Sequence, residues 1–212
     1  MTTEKGIRLE FSDGRPFLTD IVEINAVLAE IGSGVWPLDL SGSPDNIQRL
    51  LSQPTLIETE AKQVRTHFLL PRERLLKIIA AAGRQPNVPG GGELTTAVSN
   101  YGYSYPQLWI LQGDEDFSRF DRFHINVSED GIGTDEVAQL LWGGGLVIHH
   151  RLRTGVILTI NLDCPSESSG WLITYNGAKP HIGSFSQAMP GTKCLVQVIG
   201  PAHWVMRYEE KQ

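Results

Sequence analysis

Residues 146–162, LVIHHRLRTGVILTINL, restrict what this chain can fold into more than any other stretch. Two runs rich in branched residues, Leu146–Leu152 and Val156–Leu162, flank the short loop Arg153-Thr154-Gly155, with glycine where a type I turn plus bulge needs a positive φ. That loop predicts the pairs Leu152–Val156, His150–Leu158, Ile148–Ile160 and Leu146–Leu162 on one face. The other face then carries His149 opposite Thr159, Arg151 opposite Ile157 and Val147 opposite Asn161. A slip of one residue would mix the apolar and polar faces, so the pattern itself supports the register. The ribbon has one oily side and must bury it against a second layer.

Other β signals follow the same logic. In Arg122–Val127, Phe123, Ile125 and Val127 share one face and Arg122, His124 and Asn126 the other. Leu108–Leu111 reads as a strand, and Ile7–Phe11 alternates with period two. Trp171–Tyr175 followed by Asn176-Gly177 predicts a second hairpin, its return strand held to an edge or loop by Pro180. Cys194–Ile199 and His203–Tyr208, joined by Gly200-Pro201-Ala202, predict a third. Thr134 or Asp135 could cap a short helix running to Trp142.

The first third of the chain has a different period. Asp20 predicts the cap of a helix from Ile21 to Ile31 that stops at Gly32, and Ser43-Pro44 opens one through Leu51. Thr55 and Glu58 form a capping box before a stripe of Ile57, Ala61, Val64 and Phe68. Pro71 starts a helix that turns Leu75, Leu76, Ile78, Ile79 and Ala82 inward and ends at Gly83. Residues 84–93, RQPNVPGGGE, are a breaker-rich connector whose composition would suit a mobile flap. The expectation is an α+β chain: a helical region over 1–83, a connector over 84–93, and an antiparallel β-sandwich or small barrel over 94–212.

Composition excludes several functions. A net charge of −6 argues against a phosphate-backbone binder, Arg151 with Arg153 being the one local basic candidate. No apolar run approaches a membrane span, and MTTEKGIRLEF has no apolar signal core, which predicts a cytosolic protein with Cys164 and Cys194 reduced and buried. P-loop, GxGxxG, GxSxG, HxH and HExxH patterns are all missing.

What remains is a set of scattered histidines. His124, His150, His181 and His203, with Asp121, Asp135 or Asp163 as oxygen ligand, could hold a divalent transition metal if the fold brings them together. The set singled out is His124, His150 and Asp163. His149 and His150 point to opposite faces and cannot share one metal. Gly113-Asp114-Glu115-Asp116 is an acidic turn that reads as a solvated loop.

The layout of residues 94–208 is similar to that of cupins, small β-barrels whose histidines line the interior. The paired histidines one residue apart, then a glutamate, of that family are missing, and Pro190-Gly191 has no histidine at the required distance. The resemblance therefore implies a barrel-like architecture and not membership of the family. The expected function is an enzyme acting on a small molecule in the barrel, with His150 and His124 as ligands or acid–base groups. The rivals are a non-catalytic ligand-binding or sensory module, with the helical region as a homo-oligomer surface, and a purely structural subunit.

Overall fold

The computed structural model describes residues 6–94, 98–99 (backbone only), 104–112 and 120–209. The acidic turn at 113–116 lies outside them. The first sheet contains β1 (Ile7–Phe11), β3 (Val98–Ser99), β5 (His124–Val127), β7 (Gly144–Arg151), β8 (Ile157–Asp163), β10 (His181–Ser184) and β12 (His203–Tyr208). The second contains β2 (Gly34–Asp39), β4 (Gln107–Leu111), β6 (Asp135–Trp142), β9 (Ser169–Asn176) and β11 (Thr192–Ile199). Their orders are β1-β8-β7-β10-β5-β12-β3 and β2-β9-β6-β11-β4, antiparallel except for the short β3–β12 pair. This is the expected α+β fold with a cupin-like two-sheet barrel.

The β7–β8 ribbon has the register its sequence predicts, from Leu146↔Leu162 to Arg151↔Ile157. Its apolar face meets the second sheet across the interior, where Leu146, Ile148, Leu158 and Ile160 join Ala138, Leu140, Ile173 and Val198 in one buried cluster. The outer face of the second sheet is covered too. α2 (Asp45–Ser52) and α3 (Glu58–Phe68) place Ile47, Leu50, Leu51 and Val64 over Leu141 and Leu195. α4 (Arg72–Ala81) places Leu75, Ile78 and Ile79 over Val137, Leu172 and Ile199.

This covering explains the first correction. Asp135–Trp142 is a strand and not a capped helix. Seven of its eight residues are buried, because one face lines the interior and the other lies under helices. A strand buried on both sides loses the polar–apolar alternation that marks a strand in sequence.

Both of the later hairpins are corrected as well. β9 and β10 belong to different sheets, as do β11 and β12, so Asn176-Gly177 and Gly200-Pro201-Ala202 are crossings between layers. Turn residues report that the chain reverses, not which strand receives its hydrogen bonds. The apolar face expected of the last pair is real: Cys194, Val196, Val198 and Trp204 are all buried in the interior cluster. β10 is no edge strand, lying between β7 and β5, and Pro180 stands just before it.

The N-terminal region contributes more than helices. β1 pairs with β8, and β2 pairs with β9. α1 (Ile21–Ala29) is capped by Asp20, which accepts from the Val22 and Glu23 amides, and it ends two residues earlier than expected. Its Asn25 side chain exchanges two 2.8 Å hydrogen bonds with the Val35 backbone, which blunts the free edge of β2. α2 starts after Pro44, one residue later than expected. The Thr55–Glu58 box is not used: α3 begins at Glu58, and Glu60 reaches back to the Ile57 amide at 3.1 Å. Ile57, expected on the inner stripe, is 67% exposed.

The connector is fastened down and does not run as a free flap. Arg84 forms an ion pair with buried Asp135 and donates to Gly32 O. The Asn87 amide and side chain bind both Asp135 oxygens, Thr134 O and Asn176 Oδ1. Glu93 and Gly200 exchange two backbone hydrogen bonds.

Lys193 ties the helical layer to the second sheet. It is fully buried, and its Nζ donates to the carbonyls of Leu51, Gln53 and Gly191. The first two close the C-terminal end of α2, where the helix dipole favours a cation. Lys193→Met removes the donor and strands three acceptors, two of them buried. We expect urea denaturation at pH 7 to show a loss of about 2–4 kcal/mol against the wild type.

Candidate functional site

The register of three adjacent strands sets three imidazoles in a row. His181 on β10 is the direct partner of His124 on β5 and of His150 on β7. The ring centroids lie 4.5 Å apart for His124–His181 and 6.4 Å apart for His150–His181. All three rings are buried. β5 turns its polar side inward, so His124 and Asn126 line a cavity of about 50 Å³ with His181, Glu136, Tyr175 and an aromatic wall of Tyr105, Trp109, Phe120 and Phe185.

Backbone geometry decides the tautomers of two of these rings. His124 Nδ1 lies 3.0 Å from Arg122 O, and His181 Nδ1 lies 2.8 Å from Lys179 O. A carbonyl oxygen can only accept, so Nδ1 carries the proton in each ring and Nε2 keeps its lone pair. Burial pushes His124 down to about 3, with His181 adding to the effect, and pushes His181 down to about 4. Both rings are therefore neutral at physiological pH, the form that binds metals.

Glu136 faces them from β6. Its Oε1 lies 3.9 Å from His181 Nε2 and accepts from Asn126 Nδ2 at 2.7 Å and Thr134 Oγ1 at 3.1 Å. The Tyr175 phenol is pushed well above its ordinary value, by burial first and then by the Glu136 charge. Gly177 makes this crowding possible, since a Cβ there would stand 2.2 Å from Thr134 Oγ1. Among the described lining residues Glu136 is the only carboxylate, and none is a lysine or arginine.

His124, His150 and Asp163 are not brought together. His124 lines the cavity, while His150 sits deeper, outside the lining, with neither ring nitrogen hydrogen-bonded. Asp163 lies at the far end of β8, opposite Gly144, and accepts from the Gly145 amide at 2.7 Å. Asp135 is held by Arg84 and Asn87, Asp121 lies within ion-pair distance of Arg122, and His203 is exposed at the start of β12. His149 lies on the other face, with Nδ1 3.0 Å from Thr159 Oγ1. Sequence reasoning missed Glu136, Asn126 and Tyr175. Reading residues 135–142 as a strand would have put Glu136 on the inward face with Ala138 and Leu140.

The donor set suits a divalent transition metal in kind: two neutral imidazoles with Nε2 free of a proton, one carboxylate, and the buried, unpartnered oxygen of Asn126. Among the described residues, no three histidine, cysteine, aspartate or glutamate side chains close a metal site by themselves.

No protein-family model and no curated protein matches the sequence. Among solved structures the chain is similar to an acireductone dioxygenase from Bacillus anthracis with a cadmium ion in its active centre. The TM-score is 0.59 at 12% identity, over 92% of each chain, which is a likeness of fold. It agrees with the cupin-like architecture.

His150 gives the site a test by pH. Burial pushes its imidazole down to about 3, helped by His181 and His149, against an ordinary value of 6.5 in the unfolded chain. Between those values the unfolded chain binds a proton that the folded chain does not, so stability falls as pH drops below about 6.5. We expect His150→Leu to remove about 1.4 kcal/mol per pH unit of that loss in the metal-free protein. Denaturant titrations at pH 5 and 7.5 measure it.

Proposed function

We propose that this chain is an enzyme acting on a small molecule bound in the barrel cavity, with a divalent transition metal held by His124 and His181 and balanced by Glu136. The observation that carries this is the pair of neutral rings whose Nδ1 protons are committed to backbone carbonyls. That arrangement orients a metal-binding histidine and leaves Nε2 to the ligand. A bound metal would supply Lewis acidity to a substrate oxygen. The chain's own residues do the rest. Thr134 and Asn126 hold the Glu136 carboxylate in place, and Trp109, Phe120 and Phe185 present apolar surface to the substrate's carbon skeleton. The solved neighbour with cadmium in its active centre supports the reading at the level of fold.

The test is metal binding by the purified full chain, by elemental analysis and by calorimetric titration with Mn(II), Co(II) and Zn(II). We expect one site per chain, lost in His124→Ala and in His181→Ala while circular dichroism stays unchanged. A wild type that binds none of the three, or a His124→Ala/His181→Ala double variant that binds as well as the wild type, overturns the proposal. A metal-free protein that still takes an apolar ligand in the cavity would be a non-catalytic binding module.

A further inference from the structure

Polar and aromatic residues sit at different depths in the barrel cavity. His124, Asn126, Glu136 and His181 are all buried, whereas Trp109, Phe120 and Phe185 in the same lining are half-buried. The polar side chains therefore form a floor and the three rings a mouth. Phe120 stands edge-to-face against Trp109 at 5.8 Å and against Phe185 at 6.2 Å, and its ring lies 6.4 Å from that of His124. The enclosed space is about 50 Å³, against roughly 150 Å³ for a cavity that takes a whole benzene. Only the leading atoms of a ligand can reach the floor, and its body must stand among the rings.

The described lining residues include no lysine or arginine, so an anion entering the metal-free cavity would lose its water with no cation of the chain to replace it. On the floor, Asn126 is 3% exposed and meets Glu136 at 2.7 Å with one end of its amide, while the other end has no hydrogen-bond partner. A buried polar group left unpaired is the exception in a folded protein and calls for an explanation. A hydroxyl both donates and accepts, so it satisfies that end of the amide whichever atom stands there. We propose that the cavity takes an uncharged, hydroxyl-bearing aromatic ring, its hydroxyl directed to Asn126 and its ring held by Trp109, Phe120 and Phe185. Aromatic rings attract one another beyond the area they bury, and a saturated ring of the same size does not gain that attraction. This rests on the small-molecule part of the reading above and is independent of the metal.

The probes are phenol, cyclohexanol, toluene and benzoate, titrated into the metal-free chain at pH 7.5 and followed by ligand-observed NMR. We expect phenol to bind about tenfold or more tighter than cyclohexanol, which has the ring size and the hydroxyl but no π face, and than benzoate, which carries a charge. Cyclohexanol or benzoate binding as tightly as phenol overturns the proposal. Two variants locate the contacts. Phe120→Leu keeps an apolar side chain and should weaken phenol about fivefold with cyclohexanol unchanged. Asn126→Leu should abolish the preference for phenol over toluene. Phenol binding unaltered in both variants overturns the proposal. Co(II) is titrated separately into the same chain. A chain that binds Co(II) and takes none of the four probes overturns this inference alone, and one that takes phenol but no Co(II) overturns the metal reading and leaves this inference standing.

Discussion

The strand Asp135–Trp142 has almost nothing turned to water, and its polar groups must all find partners inside the protein. Each of them does so in a way that organises a neighbour. Asp135 is neutralised by Arg84 and anchored by Asn87, which fastens the connector to the barrel. Burial pushes the Asp135 carboxyl up, and the Arg84 charge opposes this. Glu136 collects Asn126 and Thr134 on the inside. Gln139, on the outside, donates to Phe68 O at the end of α3. One strand thus holds the helices on one face and the polar cavity on the other.

The cavity shows how a mostly apolar barrel can keep imidazoles ready to bind a cation. Burial alone makes a histidine neutral but does not choose which nitrogen keeps the proton. The carbonyls of Arg122 and Lys179 make that choice for His124 and His181. Each carbonyl belongs to the residue two positions before its ring, so the local backbone at the start of β5 and of β10 sets the chemistry. His150 has no such carbonyl, and its ring stays buried and unpartnered behind the pair.

Much of the architecture was legible in local patterns. The β7–β8 register, the Asp20 cap and the inner stripe of α4 depend on residues close together in the chain, and those patterns read correctly. Reading failed where burial came from distant layers. Asp135–Trp142 looked helical because covering helices removed its alternation, and two turns looked like hairpins because nothing local says that the chain is about to change sheets. The site was legible only as a list of histidines: His124, His150 and His181 were all candidates, but the partner of the first two is set by hydrogen bonding across β5, β10 and β7.

By itself the amino-acid sequence determined the periodicities, the Asp20 cap and the turn glycine of the β7–β8 ribbon, because each is a property of a few neighbouring residues. Only the tertiary structure decided that Glu136 and His181 would face His124 and Asn126 across a common cavity. They come from three strands in two sheets, and which strands adjoin is settled by burying the apolar faces of both sheets together.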